Sequence, residues 1–245
     1  MSTSSDDRLL HAATSNAAAF WTALGTARRH EVSSNDAYLA VMSDTRIGNR
    51  ILMLSAAPTD DDVADVRDLV RTKAGTATTV EDPFSTINIP STGLSSRPMP
   101  VMARAPRKVT ASGAWQVTRV TTIDGLREAE HVIVHGFPLA RVQPYEAGEA
   151  LPDALLDYPG FEVFLIGREG MSVGACVTMV AATCVGVYWV TTLPEHRSQG
   201  VARSLMVGIL EHHAERTMTL DASVAGKPLY DSLGFEVVAT STWWT

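Results

Sequence analysis

Cysteine is nearly absent: Cys176 and Cys184 are the only two in 245 residues, and both lie inside apolar, strand-like runs. That is the pattern of buried, reduced thiols, with no disulfide framework and no metal-ligand set. Long apolar runs are missing too. No stretch approaches the roughly 20 residues that cross a bilayer, and the opening MSTSSDDRLL is polar and acidic where a secretory signal is basic and then apolar. A cytoplasmic protein with no membrane partner is the expectation. Basic charge is also scarce. Twenty Lys+Arg stand against 27 Asp+Glu, a net charge of -7, which argues against a nucleic-acid partner and tilts weakly toward cationic ligands. Aromatic residues make up 7%, yet the 45% hydrophobic content is enough for one large or two small cores.

What is present divides the chain in two. Ala17, Phe20, Trp21 and Leu24 have helical spacing within a helix over 6–28. Residues 38–42 and 51–54 read as a hairpin. Thr59 followed by Asp60, Asp61 and Asp62 reads as a helix start, not a metal site: a hydroxyl cap, with acids at the positive end of the dipole. Val63, Val66, Leu69 and Val70 then trace its buried face. Residues 83–106 are rich in Pro, Ser and Thr, with a strand-like Val101-Met102-Ala103. The lobe boundary falls near 105–112, giving a first lobe over 1–108 and a second over 113–245.

The second lobe has another rhythm. A strand over 117–120 leads to a helix opened by Thr122 and Asp124 and closed by Gly136 and Pro138. Strands over 161–166, 171–180 and 183–192, joined by the Gly170 turn and the Ala181-Ala182 link, suit an antiparallel meander. A helix over 200–215 carries Ala202, Leu205, Met206, Ile209 and Leu210 on one face. A strand over 218–222, a helix over 227–233, a stop at Gly234 and a strand from Phe235 follow. The fold class is α/β, with a mixed, mostly antiparallel sheet flanked by helices in two lobes.

The segment from Val190 to Arg203 carries the chemistry. A strand runs through a Pro-containing turn into a helix that begins around a glycine. The first backbone N–H groups of a helix lack intrahelical partners and carry partial positive charge, so a diphosphate fits there. Gly200 and Ala202 allow close approach, and Arg197 and Arg203 add charge. The order Pro194-x-x-Arg197-x-x-Gly200-x-Ala202 resembles the acetyl-CoA motif of the GNAT superfamily of N-acetyltransferases. About thirty residues on, Leu229-Tyr230-Asp-Ser-Leu-Gly234-Phe235 resembles that superfamily's second signature.

The resemblance implies a GNAT fold, acetyl-CoA as cosubstrate without a metal, and transfer to a small-molecule amine or a protein lysine. It implies that Val190, Thr191 and Thr192 bond the pantetheine amides, in a V-shaped gap between strands. It gives the phosphates to the amides of Ser198, Gln199, Gly200, Val201, Ala202 and Arg203, and makes Tyr230 the acid that protonates the departing thiolate. Two positions depart from the pattern: Ser223 stands where many relatives have Asn, and Gly226 where they have Ala. Ser223 still offers a hydroxyl to the coenzyme.

No carboxylate lies on the strand over 183–192, so the base is open between Asp221 and Glu162. His131 and His135 share a helix face and read as ordinary helix histidines, as do His212 and His213 at the negative end of the 200–215 helix. Trp243 and Trp244 point to opposite faces of the last strand, and the outward ring is a candidate to hold a cationic amine. The first lobe resembles a degenerate copy of the same fold. It lacks the glycine loop, because Arg46-Ile-Gly48 has the wrong spacing, and no coenzyme site is expected there. The alternative reading is a coenzyme-binding sensor or scaffold without catalysis. Acylation of an alcohol, a longer acyl chain and a homodimer all stay open.

Overall fold

The computed structural model describes residues 4–73, 75–109, 115–137, 140–181 and 183–245. Helix α1 (Ser5–Ala27) is followed by strands β1 (Glu31–Ser34), β2 (Tyr38–Met42) and β3 (Asn49–Met53), helix α2 (Asp60–Thr72), and strands β4 (Thr78–Asp82), β5 (Ser96–Arg104) and β6 (Gln116–Arg119). Helix α3 (Ile123–Gly136) leads to β7 (Phe161–Arg168), β8 (Met171–Ala181) and β9 (Cys184–Thr192). Then come α4 (Val201–His212), β10 (Thr217–Asp221), α5 (Lys227–Ser232) and β11 (Glu236–Trp244). The expected boundary at 105–112 falls partly outside the described residues, as do Pro138 and Ala182.

The described strands form one sheet in the order β1-β2-β3-β4-β11-β5-β10-β9-β8-β7-β6. All neighbours are antiparallel except two pairs, β3 with β4 and β9 with β10. Each parallel pair is bridged by a helix, α2 in the first case and α4 in the second. The antiparallel partners β2 and β8 precede them in the same way. The last strands of the two halves are exchanged: β5 lies between β10 and β11, and β11 between β4 and β5.

Strand β5 contains Pro98 and Pro100, residues that cannot donate to a ladder. The Pro100 carbonyl accepts from the Ala222 N–H on the β10 side, so the ring nitrogens of Pro100 and Pro98 face that side too. The β10 pairing covers only Val101–Arg104, so no ladder bond is lost.

Helices α1 and α3 cover one face of the sheet through Phe20, Leu24, Leu126, Ile133, Val177 and Met179. Helices α4 and α5 cover the other through Leu205, Met206, Ile209 and Tyr230 against Met102, Val185 and Leu220. Helix α2 packs Val66 and Val70 on Ile51, Val80 and Trp244. Helix α1 therefore belongs to the first half by sequence but roofs strands of both. Buried Asn16 ties it down, donating to the carbonyls of Met179 (2.9 Å) and Cys184 (3.2 Å). Arg46 grips Glu149 through two bonds (2.8 and 2.6 Å), which places it as a tie between the halves.

Candidate active site

The pairing of β9 with β10 is short. It runs from Thr217 with Cys184 to Thr219 with Gly186, and then stops. Beyond Gly186, β9 continues to Thr192 with no strand on its β10 side among the described residues. A bulge sharpens the divergence: Trp189 and Val190 stand opposite the single Cys176 of β8, and Trp189 takes a positive φ of 52°. This is the V-shaped opening implied by the resemblance. Val190, Thr191 and Thr192 line its β9 edge.

The strand then enters the 3-10 turn Pro194–His196, and Ser198 and Gly200 follow with φ of 60° and 78°. Two left-handed residues in three turn the chain sharply into α4. That helix has no side-chain cap and no acid in its first turn, and a Cβ at Gly200 would meet nothing within 4 Å. Its leading amides are therefore open to an anion. Helix α2, at the corresponding place in the first half, is closed. Thr59 and Asp62 form a reciprocal capping box, and Asp60, Asp61 and Asp62 fill its first turn. A phosphate would meet three carboxylates there.

The motif arginines brace the loop. The Arg197 guanidinium donates to the carbonyls of Gly136 (2.7 Å) and Thr192 (3.3 Å), fastening the turn to the end of α3. Arg203 donates to the Ser232 hydroxyl (2.7 Å) and so links α4 to α5. Gln199 donates to the Glu195 carbonyl (3.1 Å). Ser223 accepts from the Gly226 N–H (3.1 Å) and opens α5. The change from Ala to Gly at 226 has a steric reason: a Cβ there would lie 2.9 Å from the Tyr230 ring. Tyr230 is buried, and burial together with Cys176 pushes its hydroxyl up to about 12, so it stays protonated at neutral pH.

Side-chain alternation separates the two faces of the gap. Leu220 and Ala222 point to the α4 side with Tyr230, so Asp221 points to the α1 side. There Asp221, Glu81 and Tyr188 line a narrow cleft under Leu10, Ala13, Thr14 and Ala17, with room for little more than a water molecule, about 20 Å³. Burial and the neighbouring Glu81 raise Asp221 to about 8, against the opposing pull of Arg50. Glu81 is also raised by burial, although it holds Arg50 (2.6 Å) and accepts from the Trp21 indole (3.2 Å). Tyr188 stacks on Phe20 at 3.7 Å and donates to Asn16 (2.8 Å).

Glu162, the other candidate base, lies elsewhere. It sits on β7, three strands from β10, roughly 14 Å away at sheet spacing. Arg119 (3.0 Å) and His213 (3.3 Å) occupy it, and hydrogen bonding to His213 lowers its pKa. The His131 and His135 rings meet at a tilt, 4.0 Å apart, beside Tyr145. The Trp243 ring carries the guanidinium groups of Arg50 (5.4 Å) and Arg97 (5.6 Å), so its face is not free for a cationic amine. Cys176 and Cys184 are buried free thiols, both raised by burial. Sequence reasoning missed Tyr188 and Glu81. Neither belongs to a motif, and their roles arise from α1 and from the exchanged strands.

Comparison with known proteins agrees with this geometry. Residues 159–237 match the family model described as the acetyltransferase (GNAT) domain. The fold is similar to a GCN5-related N-acetyltransferase from Kribbella flavida (TM-score 0.64, 15% identity, 93% of this chain and 94% of that one). It is also similar to a GCN5-related N-acetyltransferase from Sphaerobacter thermophilus (TM-score 0.55, 17% identity, 85% and 76% covered). A GCN5-related N-acetyltransferase-like protein from Streptococcus suis 89/1591 aligns at TM-score 0.55 with 12% identity, covering 88% of each chain. No curated protein matches the chain. Residues 159–237 thus match a GNAT acetyltransferase domain, and the chain as a whole shares the fold of the GCN5-related N-acetyltransferases.

Proposed function

We propose that the chain transfers acetyl from acetyl-CoA to a primary amine by direct attack within a ternary complex. The observation that carries this reading is the uncapped start of α4 beside a strand edge left unpaired beyond Gly186. The amides of Ser198 to Arg203 hold the diphosphate, and the β9 edge from Val190 to Thr192 bonds the pantetheine arm as an added strand would. Asp221 takes a proton from the ammonium. The amine attacks the thioester carbonyl, the C–S bond breaks, Tyr230 gives its proton to the departing sulfur, and the tyrosinate takes back the second proton that the nitrogen sheds as it becomes an amide. Acid and base thus act from opposite faces of the sheet. The narrowness of the cleft favours a primary ammonium over an N-substituted amine.

The first half has a supporting role in this reading. Its α2 is sealed against phosphate, and its α1, β4 and β5 build the acceptor side. No helix among the described residues is long and apolar enough to cross a membrane, in keeping with a cytoplasmic site of action. The decisive experiment measures free-thiol release from acetyl-CoA across a panel of primary amines, alongside calorimetry with coenzyme A. Micromolar coenzyme binding with amine-dependent thiol release is expected. Binding without release from any amine would leave the sensor reading; absence of binding would end both.

A further inference from the structure

The α1 face of the sheet carries charge in a definite order. Asp221 and Glu81 line the narrow cleft. Trp243 is the direct cross-strand partner of Glu81 on one side and of Arg97 on the other, so the three side chains stand in one row on one face. Arg50 lies over both Trp21 (4.0 Å) and Trp243 (5.4 Å), with Glu81 as its carboxylate. Arg97 also lies over Trp243 (5.6 Å), with no carboxylate partner among the described residues.

Arg141 has none among them either. It precedes Val142, which packs on Ala150, whose carbonyl receives Arg28 (2.6 Å). Arg28 in turn lies over Trp189 (6.0 Å). Burial lowers Arg50 and Arg28 most, and neighbouring cations add to it: Arg141 and Arg97 at Arg50, Arg141 and Arg50 at Arg28. The Trp243 indole N–H is buried without a partner, a further donor among these groups. One end of the groove is acidic and narrow, and the other has an excess of donors and positive charge.

We propose that the acceptor is an amino-carboxylate: its ammonium enters the cleft at Asp221 and Glu81, and its carboxylate is received by Arg97 beside Trp243, with Arg141 adding positive charge. This rests on the acyl-transfer reading above and adds the substrate class. The overall charge of -7 would favour polycations, but the guanidinium groups over the aromatic rings oppose a second positive charge on the acceptor. Asp221 pairs with Val101, four residues from Arg97 along β5. The backbone separation is about 14 Å, which the Asp221 and Arg97 side chains and an amino-carboxylate between them would span.

The test compares amino acids and dipeptides with their C-terminal amides and with diamines of equal length. Thiol release from acetyl-CoA and quenching of tryptophan fluorescence are both followed. Amino-carboxylates should be preferred, and Arg97→Gln with Arg141→Gln should raise their KM at least tenfold and erase the preference over the amides. Use of diamines with refusal of amino-carboxylates overturns the inference while acyl transfer stands. Saturable quenching by an amino-carboxylate, lost in the double variant but without thiol release, keeps the anion site and removes the acyl-transfer reading. Neither quenching nor release overturns both.

Discussion

Gly186 and Thr219 are the last residues that join β9 to β10, and past them the two strands part. Gly186 is also where α1 comes closest. A Cβ there would lie 2.1 Å from Asn16 Oδ1 and 2.5 Å from the Tyr188 hydroxyl. The bare backbone lets Asn16 bond the carbonyls of Met179 and Cys184 while it receives Tyr188.

Gly186→Ala should therefore destabilise the protein by about 1–3 kcal/mol through overpacking. Denaturant melts measure the loss. A change below about 0.5 kcal/mol would mean that α1 is not seated as described.

At the start of α4, Ala202→Glu should weaken coenzyme A binding by about tenfold or more, because a carboxylate would stand among the amides proposed to hold the diphosphate. Calorimetry reads this directly. Asp61→Ala, on the exposed first turn of α2, should leave coenzyme affinity alone, since that helix start is already closed by Thr59 and Asp62.

Removing the proposed proton donor should affect turnover and not binding. Tyr230→Phe is expected to lower kcat about a hundredfold with coenzyme A affinity kept within twofold. The raised hydroxyl, at about 12, also predicts no descending limb in the wild-type rate below pH 10. Unchanged kcat would remove Tyr230 from the chemistry.

Asp221 makes a pH prediction with a definite sign. As a base raised to about 8, it should give a kcat/KM that climbs through pH 8 and then levels, and Asp221→Asn should flatten and lower the curve. Stability should run the other way. A carboxyl whose folded pKa exceeds its unfolded value keeps its proton only in the folded state between about 4 and 8. Its contribution is complete below that window and falls as pH rises through it. Melting temperatures of Asp221→Asn and wild type should thus be close at pH 4, with the variant higher at pH 9. A wild-type advantage at pH 9 would contradict the burial of this group.

Much of the second half was legible because its signals are local. The α4 face, the glycine turn and the Thr122 cap each depend on residues a few positions apart, and they appear where expected. Helix α4 ends at His212, short of the expected 215. Strand β4 was missed because four of its five residues are polar, so it shows no apolar run. All five are nevertheless buried, with Glu81 held by Arg50 and Trp21. Strand β5 was seen only as three residues, because its prolines argue against a strand until the unpaired side is known.

The sequence by itself determined the secondary-structure elements of the coenzyme loop, the open start of α4 and the closed start of α2, since capping and turn conformations are settled by neighbouring side chains and backbone sterics. The exchange of β5 and β11, the point at which β9 leaves β10, and the raised carboxyl of Asp221 were decided by the tertiary structure alone. They depend on partners brought from residues far along the chain: Val101 beside Asp221, Glu81 across the cleft, and α1 above. Strand pairing and desolvation act through space, and the order of residues does not encode which distant segments will supply them.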